Sequence, residues 1–123
     1  MRRIKRKHEN FTYKYLVQLL KGIQVDREFL INEPIYDNGK LIRNFIMVDF
    51  HWSVKGKEFF CEYNGSGHYK AVRRFGGKVA LEKQKIRDEW LRQYCKKHKI
   101  TLIELDGRVL RGKRIFKYLE SVL

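Results

Sequence analysis

Cysteine is scarce in this sequence, and long apolar runs are missing from it. Cys61 and Cys95 are the only cysteines in 123 residues, too few and too scattered for a disulfide framework or a zinc cluster. No stretch approaches the ~20 apolar residues of a membrane helix, and no apolar segment of signal-peptide length follows the basic start. These absences predict a cytoplasmic protein without disulfides or a membrane span, in which both cysteines are small buried side chains.

Segments that would divide the chain into domains are absent as well. The sequence has no internal repeat, no Pro- or Ser-rich tract and no low-complexity run. A chain of 123 residues is long enough for one hydrophobic core and too short for two. Its hydrophobic content of 43% is that of a globular protein. We therefore predict one domain over residues 11–123, preceded by a mobile basic arm over residues 1–10.

Acidic residues are few relative to basic ones. The 28 Lys and Arg outnumber the 14 Asp and Glu, which gives a net charge of +14. Such a charge repels itself unless a polyanion binds, and DNA binds basic proteins largely through counterion release. Ribosomal proteins and membrane-surface binders are also basic, so the charge predicts the partner class and leaves the activity open. The residues expected to bind phosphates lie in the arm, in a loop around Gly76 and near the C-terminus: Arg2, Arg3, Lys5, Arg6, Lys7, Lys70, Arg73, Arg74, Lys78, Arg111, Lys113 and Arg114.

Hydrophobic periodicity and turn residues predict an α/β fold. Asn38-Gly39 is a strong signal for a hairpin turn between two strands. A strand that follows a long helix usually lies parallel to a strand of the existing sheet. The order α-β-β-β-α-β-α therefore predicts a mixed four-stranded sheet flanked by helices. The expected helices are Phe11–Lys21, Val79–Lys97 and 112–122, and the expected strands are Glu28–Tyr36, Leu41–Trp52, Glu58–Asn64 and Ile100–Leu105.

Two acidic residues stand inside otherwise apolar predicted strands. Asp49 follows Val48, and Glu62 follows Cys61. A carboxylate buried alone is unfavourable, so each requires a cation, a hydrogen-bond network or a metal. Strand alternation places Glu62 and Asn64 on one face, and Asp49 on the neighbouring strand can meet them there. Oxygen ligands of this kind suit Mg²⁺ or Mn²⁺, whereas an edge position or an ion pair with Lys or Arg remains the alternative.

Two further polar residues are candidates for the same site. His68 follows Gly65-Ser66-Gly67, and its imidazole can move a proton near neutral pH. His8, His51 and His98 are interpreted as packing or surface residues. Asp88 lies one helical turn after Gln84, and its alternative role is that of a surface charge.

Several short motifs, taken in order, resemble one nuclease family. They are Val-Asp-Phe at the end of 45–50, Glu62-Tyr63-Asn64-Gly65-x-x-His68-Tyr69, Gln84-x-x-x-Asp88 followed by Tyr94-Cys95, and Ile100-Thr101-Leu102-Ile103. From about Phe11 to Leu105 the chain is similar to the very-short-patch-repair-like branch of the PD-(D/E)XK nuclease superfamily, which includes phage homing endonucleases.

The resemblance implies a fold, an activity and a role for each matching residue. The fold would be a restriction-endonuclease-like core, and the activity a Mg²⁺- or Mn²⁺-dependent DNA endonuclease, phage-encoded and acting in a bacterial host. Asp49 matches the metal-binding aspartate, Glu62 the acidic residue of the third strand and His68 a proton-transferring histidine. Asp88 matches a helix aspartate that orients the site, and Asn64 adjoins the metal. A domain of this size would nick one strand per active site, so double-strand cleavage would require a homodimer.

The sequence departs from the family pattern at three places. Asn64 stands where the family commonly has Asp, and Leu91 stands where it often has Lys. The first helix offers no glutamate in the usual register, since Glu9 lies outside it. These departures keep two other functions open: a DNA-binding module whose nuclease site has decayed, and a basic RNA-binding protein.

Overall fold

The computed structural model describes the backbone of residues 2–65 and 77–123 and the side chains of residues 6–65 and 77–123. Within these ranges the chain forms three helices and six strands. In chain order they are α1 (Arg2–Leu19), β1 (Asp26–Ile31), β2 (Ile35–Asp37), β3 (Lys40–Arg43), β4 (Ile46–Val54), β5 (Lys57–Asn64), α2 (Gly77–His98), β6 (Thr101–Asp106) and α3 (Lys113–Val122).

The main sheet has four strands in the order β1-β4-β5-β6. β4 pairs antiparallel with both β1 and β5, whereas β5 and β6 run parallel. The predicted α/β class with a mixed four-stranded sheet is confirmed, as is the parallel placement of the strand after α2. That strand returns parallel because α2 carries the chain back across one face of the sheet.

The two long strands expected on either side of Asn38-Gly39 are each broken in two. β2 and β3 form a separate two-stranded sheet around this turn, and both turn residues have positive φ as the Asn-Gly hairpin requires. Pro34 lies between β1 and β2 and has no N–H for a ladder bond. The hairpin prediction is therefore correct, but the uninterrupted strands are wrong.

The basic arm expected over residues 1–10 is also wrong, because residues 2–10 are the first half of α1. The buried face of this helix runs from Leu16 through Thr12 to His8 at four-residue spacing. Two of these three positions are polar, so the apolar pattern fades toward the helix start. Arg6 and Lys7, in the same part of the helix, are exposed.

The sheet separates two hydrophobic clusters. One lies against α1 and α3 and includes Phe50, Trp52 and Ile115. The other lies against α2 and includes Val48 and Phe60. The stripe predicted on α2 is confirmed as part of this second cluster: Ile86, Trp90, Leu91 and Tyr94.

Both cysteines are buried in these clusters, as expected. Burial raises the pKa of Cys95 to about 12 and raises the pKa of Cys61 well above its ordinary value. The thiols are therefore protonated near neutral pH and unreactive. Among the described residues, no helix combines the length and apolar character needed to cross a bilayer.

Candidate active site

Asp49 and Glu62 lie where the ladder between β4 and β5 ends. The two strands pair from Val54 and Lys57 as far as Phe50 and Cys61. The next pair in this register would be Asp49 opposite Glu62. There the backbone N–H of Tyr63 donates to Asp49 Oδ2 at 2.9 Å. A side-chain oxygen thus replaces a ladder acceptor, and the gap between the strands opens toward solvent.

The side chains of β4 also change from one face of the sheet to the other at this level. In β4, Phe50 belongs to the cluster under α1 and α3, whereas Val48 belongs to the cluster under α2. Strict alternation would put both on one face. In β1, Glu28 has φ of 54° and lies between the paired residues Arg27 and Phe29. A left-handed backbone at a non-glycine residue is strained by about 1–2 kcal/mol, and such strain is concentrated at functional sites.

A polar pocket of about 450 Å³ opens at this distortion. Its wall carries carboxylate and amide side chains from α1, β1, β4, β5 and α2 together with three arginines. A neighbouring cleft shares Arg6, Glu9, Glu28 and Asp49 with it and adds Asn10 and Arg27, so the two form one groove. The residues that line the pocket are Arg6, Glu9, Glu28, Arg43, Phe45, Met47, Val48, Asp49, Glu62, Asn64, Gln84 and Arg87.

Glu62 forms a buried ion pair with Arg87 of α2. Arg87 Nη1 donates to Glu62 Oε1, and Arg87 Nη2 donates to Glu62 Oε2 at 2.6 Å. The same guanidinium donates to the carbonyl of Met47 at 2.8 Å and to Asp88 Oδ1 at 3.1 Å. Glu62 and Arg87 are 4% and 6% exposed. The ion pair that the sequence left open is therefore present, and both carboxylate oxygens of Glu62 already accept hydrogen bonds.

The electrostatics of this pair follow from its burial. Burial raises the pKa of Glu62, and the hydrogen bonds and charge of Arg87 oppose that rise. Burial lowers the pKa of Arg87, but the hydrogen bonds and charges of Glu62 and Asp88 together raise it above its ordinary value. Arg87 therefore keeps its positive charge inside the protein.

Asp88 is a buried member of the same network. It is 7% exposed and accepts a hydrogen bond from Gln84 Nε2 at 2.8 Å. The contact one helical turn apart agrees with the sequence prediction, and the alternative role as a surface charge is wrong. Asp88 orients Arg87, which in turn holds Glu62.

Asn64 presents a buried oxygen without a hydrogen-bond partner among the described residues. The residue is 3% exposed, and its Oδ1 accepts no hydrogen bond there. Its Nδ2 lies 3.5 Å from Glu104 Oε1, and a carboxylate can only accept, so the amide must present its NH₂ to Glu104. The oxygen then faces away from Glu104, in a residue that lines the pocket.

The backbone of Asn64 is held by a glycine after β6. Gly107 N donates to the Asn64 carbonyl at 2.7 Å. A Cβ at position 107 would lie 2.6 Å from that oxygen and 3.0 Å from the Tyr63 ring. Only glycine allows this approach.

The side-chain oxygens of Asp49 and Asn64 are the pocket atoms that suit a hard divalent cation as ligands. Mg²⁺ is typically held by one or two carboxylates, water and substrate phosphate rather than by an all-protein cage. No group of three or more His, Cys, Asp or Glu side chains is arranged to hold a metal within residues 6–65 and 77–123. Glu62 is the poorest candidate of the three predicted ligands, because Arg87 binds both of its oxygens.

The remaining predicted site residues lie at the pocket, on exposed surface or outside the described residues. Arg6 is at the pocket, and Lys78, at the start of α2, is exposed. The side chains of three expected phosphate contacts, Arg2, Arg3 and Lys5, are outside the described residues, as are the whole residues His68, Lys70, Arg73 and Arg74. The third expected group, near the start of α3, is exposed and comprises Arg111, Lys113 and Arg114.

Sequence reasoning missed four residues of the pocket wall. The sequence does not single out Arg87, although a buried strand acid predicts a basic partner somewhere. Arg43 and Glu28 carry no local signal. Glu9 lines both clefts although it lies outside the usual register of the family.

Comparison with protein-family models, curated proteins and solved structures finds no match to this chain. A function for the protein therefore has to be argued from the pocket and its charges.

Proposed function

We propose that this protein is a Mg²⁺-dependent DNA endonuclease built on a restriction-endonuclease-like core. The observation that carries the proposal is the pocket where β4 and β5 separate. It combines the carboxylate of Asp49, the cationic groups of Arg6 and Arg43, and the side-chain oxygen of Asn64, which has no hydrogen-bond partner within the described part of the chain. Acidic and amide oxygens beside arginines suit a divalent cation and a phosphodiester together.

The order of the elements supports the fold part of the proposal. One helix precedes three antiparallel strands of the main sheet, and α2 then leads to a fourth strand parallel to the third. The sequence resemblance implies this layout, with its acids on the second and third of these strands. Asp49 on β4 and Glu62 on β5 occupy those positions.

Phosphate binding follows from the charges around the pocket. Partial burial and the positive charge of Arg87 lower the pKa of Arg43, so a phosphate placed between them relieves repulsion. Arg6 and Arg27, at the clefts beside Asp49, extend the positive wall along the groove. A nucleic-acid backbone lying in this groove brings one phosphodiester beside Asp49.

The chemistry requires a charge-stabilising group and an activated water. When bound, Mg²⁺ supplies Lewis-acid stabilisation of the phosphate. Asp49 and Asn64 would hold it, and Arg43 would orient the phosphodiester. Arg87 and Asp88 keep β5 in place beneath the pocket through Glu62. His68 belongs to the proposal as the proton-transferring group, on its sequence context alone.

The decisive experiment is a nicking assay on supercoiled plasmid with Mg²⁺, Mn²⁺ or chelator. We expect the wild-type protein to nick the plasmid only when a divalent cation is present, and Asp49→Asn to leave it intact. Asp37→Asn removes the same charge from the exposed end of β2 and should cut normally. Equal cutting by the two variants would contradict the assignment of Asp49.

A second function, binding DNA without cleaving it, is favoured by one observation. Arg87 engages both oxygens of Glu62, and Asn64 is neutral, which leaves Asp49 as the carboxylate best placed for a metal. Under this alternative the protein shifts a DNA duplex on a gel but leaves the plasmid intact at every Mg²⁺ and Mn²⁺ concentration. Competition by RNA in the same gel assay would reveal a preference for RNA.

A further inference from the structure

The end of the sheet opposite the pocket carries five exposed lysines. Lys55 lies in the turn between β4 and β5, Lys57 begins β5, and three more lie where α2 ends and leads into β6. The parallel pairing of β5 and β6 begins at Phe59 and Thr101. Lys57 and Lys99 each precede this pair by two residues, so the two turns adjoin. We call these residues the distal lysine surface: Lys55, Lys57, Lys96, Lys97 and Lys99.

The segments that carry the distal lysine surface are poor in acidic residues. No Asp or Glu occurs between Glu89 and Glu104, or between Asp49 and Glu58. Among the residues that directly adjoin the five lysines in sequence, Glu58 is the one acid, and its carboxylate is engaged with the ring of His51 at 3.1 Å.

Two of the lysines occupy backbone positions that favour other residues. Lys55 has φ of 50° and precedes Gly56 with φ of 80°, a turn for which Asn-Gly is the preferred pair. The chain uses that preferred pair at Asn38-Gly39.

Lys99 shows the same departure at the end of α2. It has φ of 57°, while Ile100 N donates to Cys95 O at 2.8 Å. This geometry is the helix ending that glycine or asparagine normally fills. Lysine in a left-handed conformation destabilises the fold relative to either residue. Folding alone does not account for lysine in both turns, whereas binding of a polyanion does.

The distal lysine surface is too far from the pocket to bind the same phosphates. Lys57 and Asn64 are the two ends of β5, about 23 Å apart at ~3.3 Å per residue. That distance is well beyond the screening length of about 8 Å at physiological salt. The lysines therefore contribute little to the binding of a segment that lies in the groove.

We propose that the distal lysine surface binds the phosphate backbone of a second nucleic-acid segment while the groove holds the first. Binding of a nucleic-acid segment by the distal lysine surface depends only on the lysines. Simultaneous binding of another segment in the groove rests on the proposed function. The protein would then bridge two duplexes, or two parts of one bent duplex, without a second protein subunit.

A bridging assay with two short duplexes tests the proposal. One duplex of about two helical turns (roughly 20 base pairs) is immobilised, and a fluorescent duplex of the same length is captured through the protein. The test variant is K55N/K97Q/K99N, in which asparagine suits the two left-handed positions. The matched control is K14Q/K40Q/K117Q, which removes three exposed lysines from α1, β3 and α3.

We expect the wild type and the control to bridge, and the test variant to lose capture by about tenfold or more, since each lost phosphate contact weakens binding. The test variant should still bind one duplex in a gel shift, and its melting temperature should not fall. Undiminished bridging by the test variant would overturn the proposal, because bridging would then come from oligomerisation. Absence of bridging by the wild type, or an equal loss in the control, would overturn it too.

Two further measurements distinguish this proposal from the nuclease proposal and from binding to an anionic membrane. Wild-type bridging should persist when chelator replaces Mg²⁺, because bridging needs no cleavage; failure of the nuclease proposal would therefore leave this result standing. Vesicles of phosphatidylglycerol probe an anionic membrane as the partner instead. Vesicle binding that the test variant loses, together with unchanged bridging, would assign the surface to lipid and refute our proposal.

Discussion

His8 is a buried histidine whose Nδ1 has no hydrogen-bond partner among the described residues. Its ring stacks on Tyr63 with centroids 5.4 Å apart. Burial, together with the positive charges of Arg111 and Lys7, lowers the pKa of His8. The folded protein therefore holds this imidazole neutral, next to the strand that carries the pocket.

This lowered pKa predicts a loss of stability in mild acid. The unfolded chain binds a proton at His8 near pH 6.5, whereas the folded protein resists it to lower pH, so stability falls as the pH drops below about 6.5. His8→Phe keeps the stacked ring and removes Nδ1, which lacks a partner in the part of the chain that the structure describes and whose burial then costs about 1–3 kcal/mol. Thermal melts should show a gain in stability and a flatter pH profile. The exposed His98→Gln serves as control, and an unaltered profile in His8→Phe would contradict this account.

Arg87 links helix α2 to strands β4 and β5 at the level where the two strands separate. Its guanidinium joins Glu62 on β5, the Met47 carbonyl on β4 and Asp88 on its own helix. These bonds bridge the level at which the direct ladder between β4 and β5 has ended. The helix therefore acts as a clamp on the floor of the pocket.

The hydrogen bonds of Arg87 predict that substitution of Glu62 lowers the free energy of unfolding much more than substitution of Asp49 does. Glu62→Gln removes the carboxylate that binds both terminal nitrogens of buried Arg87 and leaves the contact with Asp88, so it should destabilise the fold by up to roughly 3–5 kcal/mol. Asp49→Asn should lose much less, because an amide oxygen can still accept the Tyr63 N–H. Denaturant unfolding of both variants measures the difference.

A double variant tests whether the pair itself is needed. Replacing both partners, as Glu62→Met with Arg87→Met, should recover part of the lost stability, because the pair is removed together while Asp88 loses its contact with Arg87 but keeps the hydrogen bond from Gln84. Wild-type stability in Glu62→Gln would show that the ion pair contributes nothing and would return Glu62 to the list of open metal ligands.

Sequence predicted the elements whose signals are local. The apolar stripe of α2 and the short strand after it were assigned within about two residues, because their side chains repeat at helical or strand spacing. The same reasoning placed Asp49 and Glu62 on neighbouring strands. It failed where a three-dimensional partner decides the structure, as with Arg87, which lies 25 residues from Glu62. It also failed for α1, whose buried face includes the polar residues His8 and Thr12.

The whole molecule is dominated by its charge of +14. Exposed basic side chains occur along the groove, at the start of α3 and on the distal lysine surface. Binding to DNA should therefore release many counterions, whichever of the two proposed functions holds.

This charge predicts a steep dependence of DNA affinity on salt. The slope of log affinity against log salt should reach several units between about 50 and 200 mM salt. Arg43→Gln should reduce the slope by about one unit if this arginine contacts a phosphate. Asn10→Ala, a neutral substitution in the adjoining cleft, should leave the slope unchanged. A salt-independent affinity would refute the electrostatic description of the whole surface.

Gly107 limits how this protein can change over evolutionary time. The two exposed residues that follow it in the loop between β6 and α3, Arg108 and Val109, are more tolerant. A side chain at 107 would press on the carbonyl of Asn64 and displace a residue that lines the pocket. Selection on the pocket therefore also acts on a loop position outside its wall. Across any set of descendants of this chain, Arg108 and Val109 can drift in sequence while Gly107 stays fixed.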